Sequence, residues 1–107
     1  MTENVPEIGG EEFYEFVKKD LVFIDFFAEW CMPCIMMSPI IDDLSKKFKG
    51  GIKFCKVNVG DNEEIARKFN VSSIPNFFVL KEGKVIEQFV GALGEEELEK
   101  RLGKFLK

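Results

Sequence analysis

The sequence predicts an α/β protein with a mixed central sheet and helices on both of its faces. Segments with strand patterns alternate with segments of helical spacing along most of the chain, and such alternation is typical of right-handed parallel crossovers. The apolar run Leu21 to Phe27 (LVFIDFF) indicates a central strand that is covered on both faces. Two final strands are separated only by Glu82-Gly83, a hairpin signal that adds an antiparallel pair.

The predicted element order is β-α-β-α-β-α-β-β-α, with five strands in one domain that spans residues 1–107. In chain order these elements are strand 5–8, helix 11–19, strand 21–27, helix 31–48, strand 52–59, helix 63–69, strands 76–80 and 84–90, and helix 95–106. The long helix carries one apolar stripe, formed by Met37, Ile41, Leu44 and Phe48. Pro39 lies inside this helix and should kink it.

Composition excludes several classes of function. The chain has 107 residues and a formal net charge of -4, which argues against nucleic acid or an anionic membrane as the main partner. No apolar run approaches the roughly 20 residues of a membrane span. The acidic start of the chain lacks the features of a secretory signal, so a cytoplasmic protein is expected. Without any histidine, the sequence excludes Cys-His and Ser-His nucleophile pairs, and no metal site is expected.

The C-x-x-C pair Cys31 and Cys34 is the clearest chemical motif. It follows a buried strand and opens a helix, which favours a redox pair over half of a zinc site or a coincidence. A disulfide that closes so short a loop stabilises the fold little, by roughly 2 kcal/mol. The helix N-terminus should lower the pKa of Cys31 and make it the nucleophile, while Cys34 suits the resolving role. Cys55 reads as a small buried apolar side chain, with a regulatory thiol as the alternative.

Asp25 is unusual because it stands among the apolar residues of the central strand. Burial should raise the pKa of its carboxyl and make it a base near neutral pH. We therefore expect Asp25 to take the proton of Cys34, directly or through a water. The alternative is a structural acid that is held by hydrogen bonds or by an ion pair.

Several motifs together resemble the thioredoxin family. DFFAEWCMPC resembles the family's D-F-W-A-x-W-C-G-P-C, VSSIP resembles the loop that ends in its cis-proline, and VGAL resembles its last active-site loop. The resemblance implies a thioredoxin fold and a redox-active disulfide between Cys31 and Cys34. It also implies that Lys56 lies near Asp25 and tunes it.

The resemblance further implies a substrate-binding rim around the cysteines. Its residues are Trp30, Met32, Pro33, Ile74, Pro75, Gly91 and Ala92. Pro75 would be the cis-proline, and the backbone of Ile74 would bond an extended substrate. Four positions depart from the family pattern: Met32 replaces glycine, Phe27 replaces tryptophan, Ile35 replaces a frequent lysine and Asn76 replaces threonine.

The function that these residues imply is reduction of disulfides in client proteins by a Cys31/Cys34 dithiol–disulfide cycle. No G-x-G-x-x-G follows a strand, so no bound cofactor is expected. The electrons would come from a separate thioredoxin reductase, in this family usually flavin-dependent, and the chain would act as a monomer. The alternatives are an oxidase or isomerase, and a binding module that uses the rim without catalysis.

Overall fold

The computed structural model describes residues 5–106, and four strands within them form one mixed sheet. The strands are β1 (Leu21–Phe27), β2 (Lys53–Asn58), β3 (Asn76–Lys81) and β4 (Lys84–Val90). Their order in the sheet is β2-β1-β3-β4. β1 pairs with β2 in parallel and with β3 antiparallel, and β3 pairs with β4 antiparallel. The predicted α/β class with a mixed sheet is confirmed.

Four helices connect and cover these strands. They are α1 (Gly10–Val17), α2 (Met32–Lys47), α3 (Glu63–Lys68) and α4 (Glu95–Gly103), and a single 3-10 turn (Lys104–Leu106) follows α4. The predicted helix 95–106 therefore changes type near its end. No helix in residues 5–106 is both long and apolar enough to cross a membrane.

Alternation along the strands sends side chains to two separate apolar clusters. On one face Phe23 and Phe77 pack with residues of α2 and α4, among them Ile41 and Leu98. On the other face Ile24 packs with residues of α1 and α3. Because successive strand residues point to opposite faces, β1 needs apolar residues at nearly every position. Helices cover both faces of the sheet, as predicted.

The prediction of a fifth strand at residues 5–8 is wrong. Here the chain forms only an isolated bridge, in which Glu7 pairs with Lys56. The N–H of Ile8 donates to the carbonyl of Lys56 at 2.9 Å, and the N–H of Lys56 donates to the carbonyl of Pro6 at 3.0 Å. Proline has no N–H for a further bond, and helix α1 already begins at Gly10. The ladder therefore stops after one bridge.

The hairpin between β3 and β4 is confirmed at Glu82-Gly83. Glu82 has φ 50° and Gly83 has φ 81°, and two consecutive left-handed residues match the twist that antiparallel strands need. Glycine suits the second position because it adopts positive φ without steric cost. The tight turn keeps β4 at the edge of the sheet and leads the chain back toward the end of β1 that precedes α2.

Phe23 provides a test of the core beneath α2 and α4. Its side chain is completely buried, and its ring stacks on Phe54 at 4.8 Å and on Phe77 at 5.5 Å between centroids. We expect Phe23→Ala to lower the free energy of unfolding by about 3–5 kcal/mol in a urea denaturation experiment. Val85→Thr, at an exposed position of β4, is the control and should change it by under about 0.5 kcal/mol. Equal effects of the two substitutions would contradict this core.

Candidate active site

The two cysteines of the C-x-x-C motif lie at the start of α2. Cys31 is the N-cap residue, with extended backbone angles of φ -88° and ψ 105°, and Cys34 lies in the first turn. Their Sγ atoms are joined in a disulfide, with Cα atoms 5.3 Å apart. This separation lies within the usual disulfide range of about 4.4–6.8 Å.

The sulfur of Cys31 receives a backbone donor from the helix. The N–H of Cys34 donates to Sγ of Cys31 at 3.2 Å, and this N–H is one of the first-turn donors that lack a partner within a helix. A donor of this kind, together with the positive end of the helix dipole, favours negative charge on sulfur. The geometry therefore favours Cys31 as the cysteine that carries a thiolate.

From its place one turn inside the helix, Cys34 would be expected to be better shielded than Cys31, and this expectation is wrong. Both residues are 5% exposed, and both pack with Ala28 in a small cluster to which Phe27, Val59 and Ile74 also belong. The side chain of the N-cap residue is covered by neighbouring loops that sequence spacing does not reveal. The difference between the two cysteines thus lies in the helix cap and not in the exposed fraction.

The predicted rim residues differ widely in exposure. Trp30 is 79% exposed and Met32 is 63% exposed, whereas Ile74 packs against the cysteine cluster. The Ile74–Pro75 peptide bond is cis, as the resemblance implied. The N–H of Gly91 donates to the carbonyl of Pro75 at 2.8 Å. Ile74 thus packs against the cysteines, and Gly91 is hydrogen-bonded to Pro75. Pro33 and Ala92 lie exposed near these residues along the chain.

Asp25 is a buried carboxylate in the middle of the sheet. It stands opposite Lys56 of β2 and opposite Phe77 of β3 in the strand register. Only 6% of the residue is exposed, and its Oδ1 atom has no hydrogen-bond partner. Burial raises the pKa of Asp25 from the ordinary value of 3.8 to about 7. Near neutral pH this carboxyl can therefore both accept and release a proton.

Lys56 opposes this effect of burial. Its positive charge lowers the pKa of Asp25, but by less than desolvation raises it. The Nζ atom of Lys56 also lies over the ring of Phe27, 5.3 Å from the centroid. The predicted proximity of Lys56 and Asp25 therefore holds. Burial and the charge of Lys56 shift the carboxyl pKa in opposite directions, and the result is a pKa of about 7.

A cavity of about 530 Å³ brings Asp25 and Cys34 together. It is lined by Asp25, Phe27, Ala28, Glu29, Cys34, Ile35, Ser38, Pro39, Asp42, Asp43 and Lys56. Asp25 and Cys34 thus both face one solvent-accessible cavity. Sequence reasoning did not predict the roles of Ser38 and Asp42 in this wall. Their helical spacing from Cys34, four and eight residues on, was the signal that could have identified them.

Cys55 is separate from this chemistry. It is completely buried in the cluster beneath α1 and α3, and burial raises the pKa of its thiol to about 12. It is thus a neutral apolar side chain at physiological pH, which agrees with the structural interpretation. Among the described residues, no group of three or more acidic, cysteine or histidine side chains is arranged to hold a metal ion.

A comparison with protein families matches residues 4–104 to the model described as Thioredoxin. The thioredoxin of the alga Porphyra purpurea is 37% identical over 93 residues, which cover 86% of this chain and 87% of that protein. The thioredoxin of Pseudomonas aeruginosa is 34% identical over 100 residues, which cover 92% and 93% of the two chains.

Solved structures agree with the fold. A mutant thioredoxin from Halobacterium salinarum superposes with a TM-score of 0.86 at 24% identity and covers 100% of this chain and 96% of its own. A chain from a study of thiol resolution in yeast mitochondrial 1-Cys peroxiredoxin has a TM-score of 0.84 at 30% identity, with 94% of each chain covered. The expected thioredoxin fold is confirmed, with four strands in place of five.

The raised pKa of Asp25 predicts that this acid destabilises the protein at high pH. The folded-state pKa is about 7 and the ordinary value is 3.8, so the folded state retains the proton longer than the unfolded state. Stability therefore falls as pH rises between these values and levels off above about pH 7. We expect the free energy of unfolding of Asp25→Asn to exceed that of the wild type by up to about 4 kcal/mol at about pH 8. The difference should nearly vanish near pH 4.

Urea denaturation of the disulfide form at several pH values measures this difference. Asp20→Asn is the matched control, because the Asp20 side chain is 64% exposed and lies 3.7 Å from Lys53. An exposed ion pair contributes under about 1 kcal/mol, so this variant should follow the wild type at every pH. If Asp25→Asn also followed the wild type, the buried carboxyl would not have the raised pKa.

Proposed function

Because the chain belongs to the thioredoxin family and is a thiol–disulfide oxidoreductase that reduces protein disulfides, we propose that Cys31 and Cys34 perform this reaction in a dithiol–disulfide cycle. The observation that carries the proposal is the placement of the pair. Cys31 caps α2 and receives a backbone N–H on its sulfur, while Cys34 and Asp25 line one cavity.

The first step is attack of the Cys31 thiolate on one sulfur of a client disulfide. A bond forms between Cys31 and the client, and the other client sulfur leaves as a thiolate. The N–H of Cys34 that bonds Sγ of Cys31 would stabilise the thiolate before this attack. The product is a mixed disulfide in which Cys34 is still a thiol.

The second step is attack of Cys34 on the sulfur of Cys31. This forms the Cys31–Cys34 disulfide and releases the second client thiolate, so the client gains two electrons in all. Cys34 must lose its proton to attack, and Asp25 accepts it as the general base. A pKa of about 7 for Asp25 suits this role, because a base is most effective when its pKa lies near the working pH.

The rim holds the client while these steps occur. Trp30 and Met32 are exposed apolar side chains beside the disulfide, and Pro33, Ile74, Pro75, Gly91 and Ala92 complete the surface. Ile74 contacts the cysteine cluster, so an extended client segment along its backbone would lie within reach of Cys31. Such a segment would add backbone hydrogen bonds to apolar contacts, as a strand does at a sheet edge.

The cycle requires a supply of electrons to reduce Cys31–Cys34 again. We assign this role to a separate, flavin-dependent thioredoxin reductase, so that the chain is an electron carrier between the reductase and its clients. The chain would act as a monomer, since the disulfide must face each partner in turn. A cytoplasmic location would suit the cycle, because that compartment keeps thiols reduced.

Substitution of Cys34 by serine should trap clients. Cys34→Ser removes the resolving thiol, so Cys31 should remain bound to clients as mixed disulfides that dithiothreitol releases. Non-reducing electrophoresis and mass spectrometry of a cell extract would identify the complexes. The double variant Cys31→Ser, Cys34→Ser is the control and should trap nothing. Absence of complexes with the single variant under oxidising conditions would show that Cys31 is not the nucleophile.

The role of Asp25 predicts a specific pH profile for the second step. Resolution of a preformed mixed disulfide should accelerate as pH rises through about 7 and then level off. Asp25→Asn should slow it by about 10²-fold near neutral pH, at the low end of general base contributions. Lys56→Met removes a charge that lowers the pKa of Asp25, so the midpoint of the profile should move upward.

Stopped-flow fluorescence of Trp30 can follow resolution, and Lys81→Met is the control for loss of a lysine. Lys81 is exposed at the end of β3 away from the cysteines, so its loss should leave the midpoint unchanged. The general base role of Asp25 would be rejected by equal wild-type and Asp25→Asn rates between about pH 6 and 8.

A further inference from the structure

Two methionines beside the disulfide are exposed to solvent. Met32 is 63% exposed and Met36 is 68% exposed, whereas Met37, the next residue along α2, is only 2% exposed. Methionine usually fills apolar cores because its flexible thioether adapts to irregular spaces. The burial of Met37 fits that use, and the exposure of Met32 and Met36 needs another explanation.

The exposed methionines lie on one side of α2, close in sequence to other exposed apolar residues. Met32 is the first residue of α2, and Met36 lies four residues on, so both side chains stand on the same face of the helix. Ile35, which is 51% exposed, and Trp30, which is 79% exposed, adjoin them along the chain. We call these four residues the apolar patch. The helix thus has an apolar exterior at the end that carries the disulfide.

We propose that Met32 and Met36 are sites of oxidation by hydrogen peroxide, and that their oxidation weakens the binding of protein clients. The thioether sulfur attacks one oxygen of the peroxide, the O–O bond breaks, and water leaves after proton transfer. Each sulfur loses two electrons and gains one oxygen atom, and each peroxide molecule is reduced to water. Nothing beyond peroxide is consumed.

The cysteines do not compete for peroxide when the protein is in its disulfide form. Cys31 and Cys34 are then bonded to each other and have no thiolate to oxidise. Cys55 is completely buried, and burial raises its thiol pKa to about 12, so its thiolate is scarce at neutral pH. Among residues 5–106, the most exposed sulfur-containing residues are consequently Met32 and Met36.

Oxidation would change the patch without changing the redox pair. A sulfoxide is polar, so it disrupts apolar contacts that a thioether makes. The effect on clients rests on the proposed function, since it requires that clients bind over the rim and patch. A small polar disulfide needs to contact only Cys31, so its rate of reduction would change little. Methionine sulfoxide reductases reverse the change, so the modification can be regulatory.

Peptide mapping of the peroxide-treated disulfide form tests the sites. Met32 and Met36 should each gain one oxygen atom while Met37 in the same molecules remains unmodified. The buried methionine is therefore an internal control for exposure. Oxidation of Met37 at the same rate as its neighbours, or resistance of Met32 and Met36, would overturn the proposal.

The second measurement compares two substrates after excess peroxide is removed. Treated protein should show a KM for insulin raised between about three- and tenfold, as expected when apolar burial is partly lost. Its rate with hydroxyethyl disulfide should stay unchanged. Methionine sulfoxide reductases with dithiothreitol should restore the original KM, and dithiothreitol alone should not.

The variant Met32→Leu, Met36→Leu is the matched control, because leucine keeps the apolar volume and cannot be oxidised. Peroxide should not alter its KM for insulin, whatever that KM is before treatment. A rise in this variant, or an equal loss with both substrates in the wild type, would overturn the effect on clients. Untreated protein that reduces neither substrate would instead refute the proposed function, and the peptide mapping would still decide the sites.

Discussion

The double pairing of β1 determines where Asp25 and the redox pair lie. β1 bonds β2 in parallel on one side and β3 antiparallel on the other, so its register cannot shift without reversing its buried faces. The register places Asp25 between Lys56 and Phe77. The same strand leads through a short loop to Cys31, which caps α2. Because α2 packs on the face that carries Phe23, Asp25 and Cys34 meet in one cavity.

The burial of Asp25 has an energetic cost that the surrounding core offsets. Its Oδ1 atom lacks a hydrogen-bond partner, and Lys56 only partly compensates for the lost hydration. Phe23, two residues before the acid in β1, and Phe77, opposite it in β3, are completely buried and stack on each other on the same face as the acid. Burial among these apolar side chains also raises the carboxyl pKa to about 7. Stability and the proposed proton transfer therefore make opposite demands on this one residue, as is common at functional sites.

The sequence predicted those features that depend on local pattern. The apolar run of β1, the C-x-x-C spacing and the turn residues at Glu82-Gly83 each specify a local conformation, and α2 was located to within a residue at each end. The strand at residues 5–8 was wrong because Pro6 has no N–H to extend the pairing with β2 and helix α1 already begins at Gly10. The equal exposure of Cys31 and Cys34 could not be predicted either, since loops distant in sequence cover Cys31.

Met32 shows how the surface of this site can vary independently of its chemistry. In the proposed cycle, the groups that act on protons and sulfur lie on β1, β2 and at the start of α2, and the exposed Met32 is not one of them. Its side chain points to solvent, as its 63% exposure shows, and the helix tolerates it as the residue that follows the cap. A larger and softer side chain between the cysteines thus alters what a partner meets first. In the proposed cycle, the residue that departs from the family pattern between the cysteines acts in recognition, while Asp25 and the cysteine pair act in the reaction.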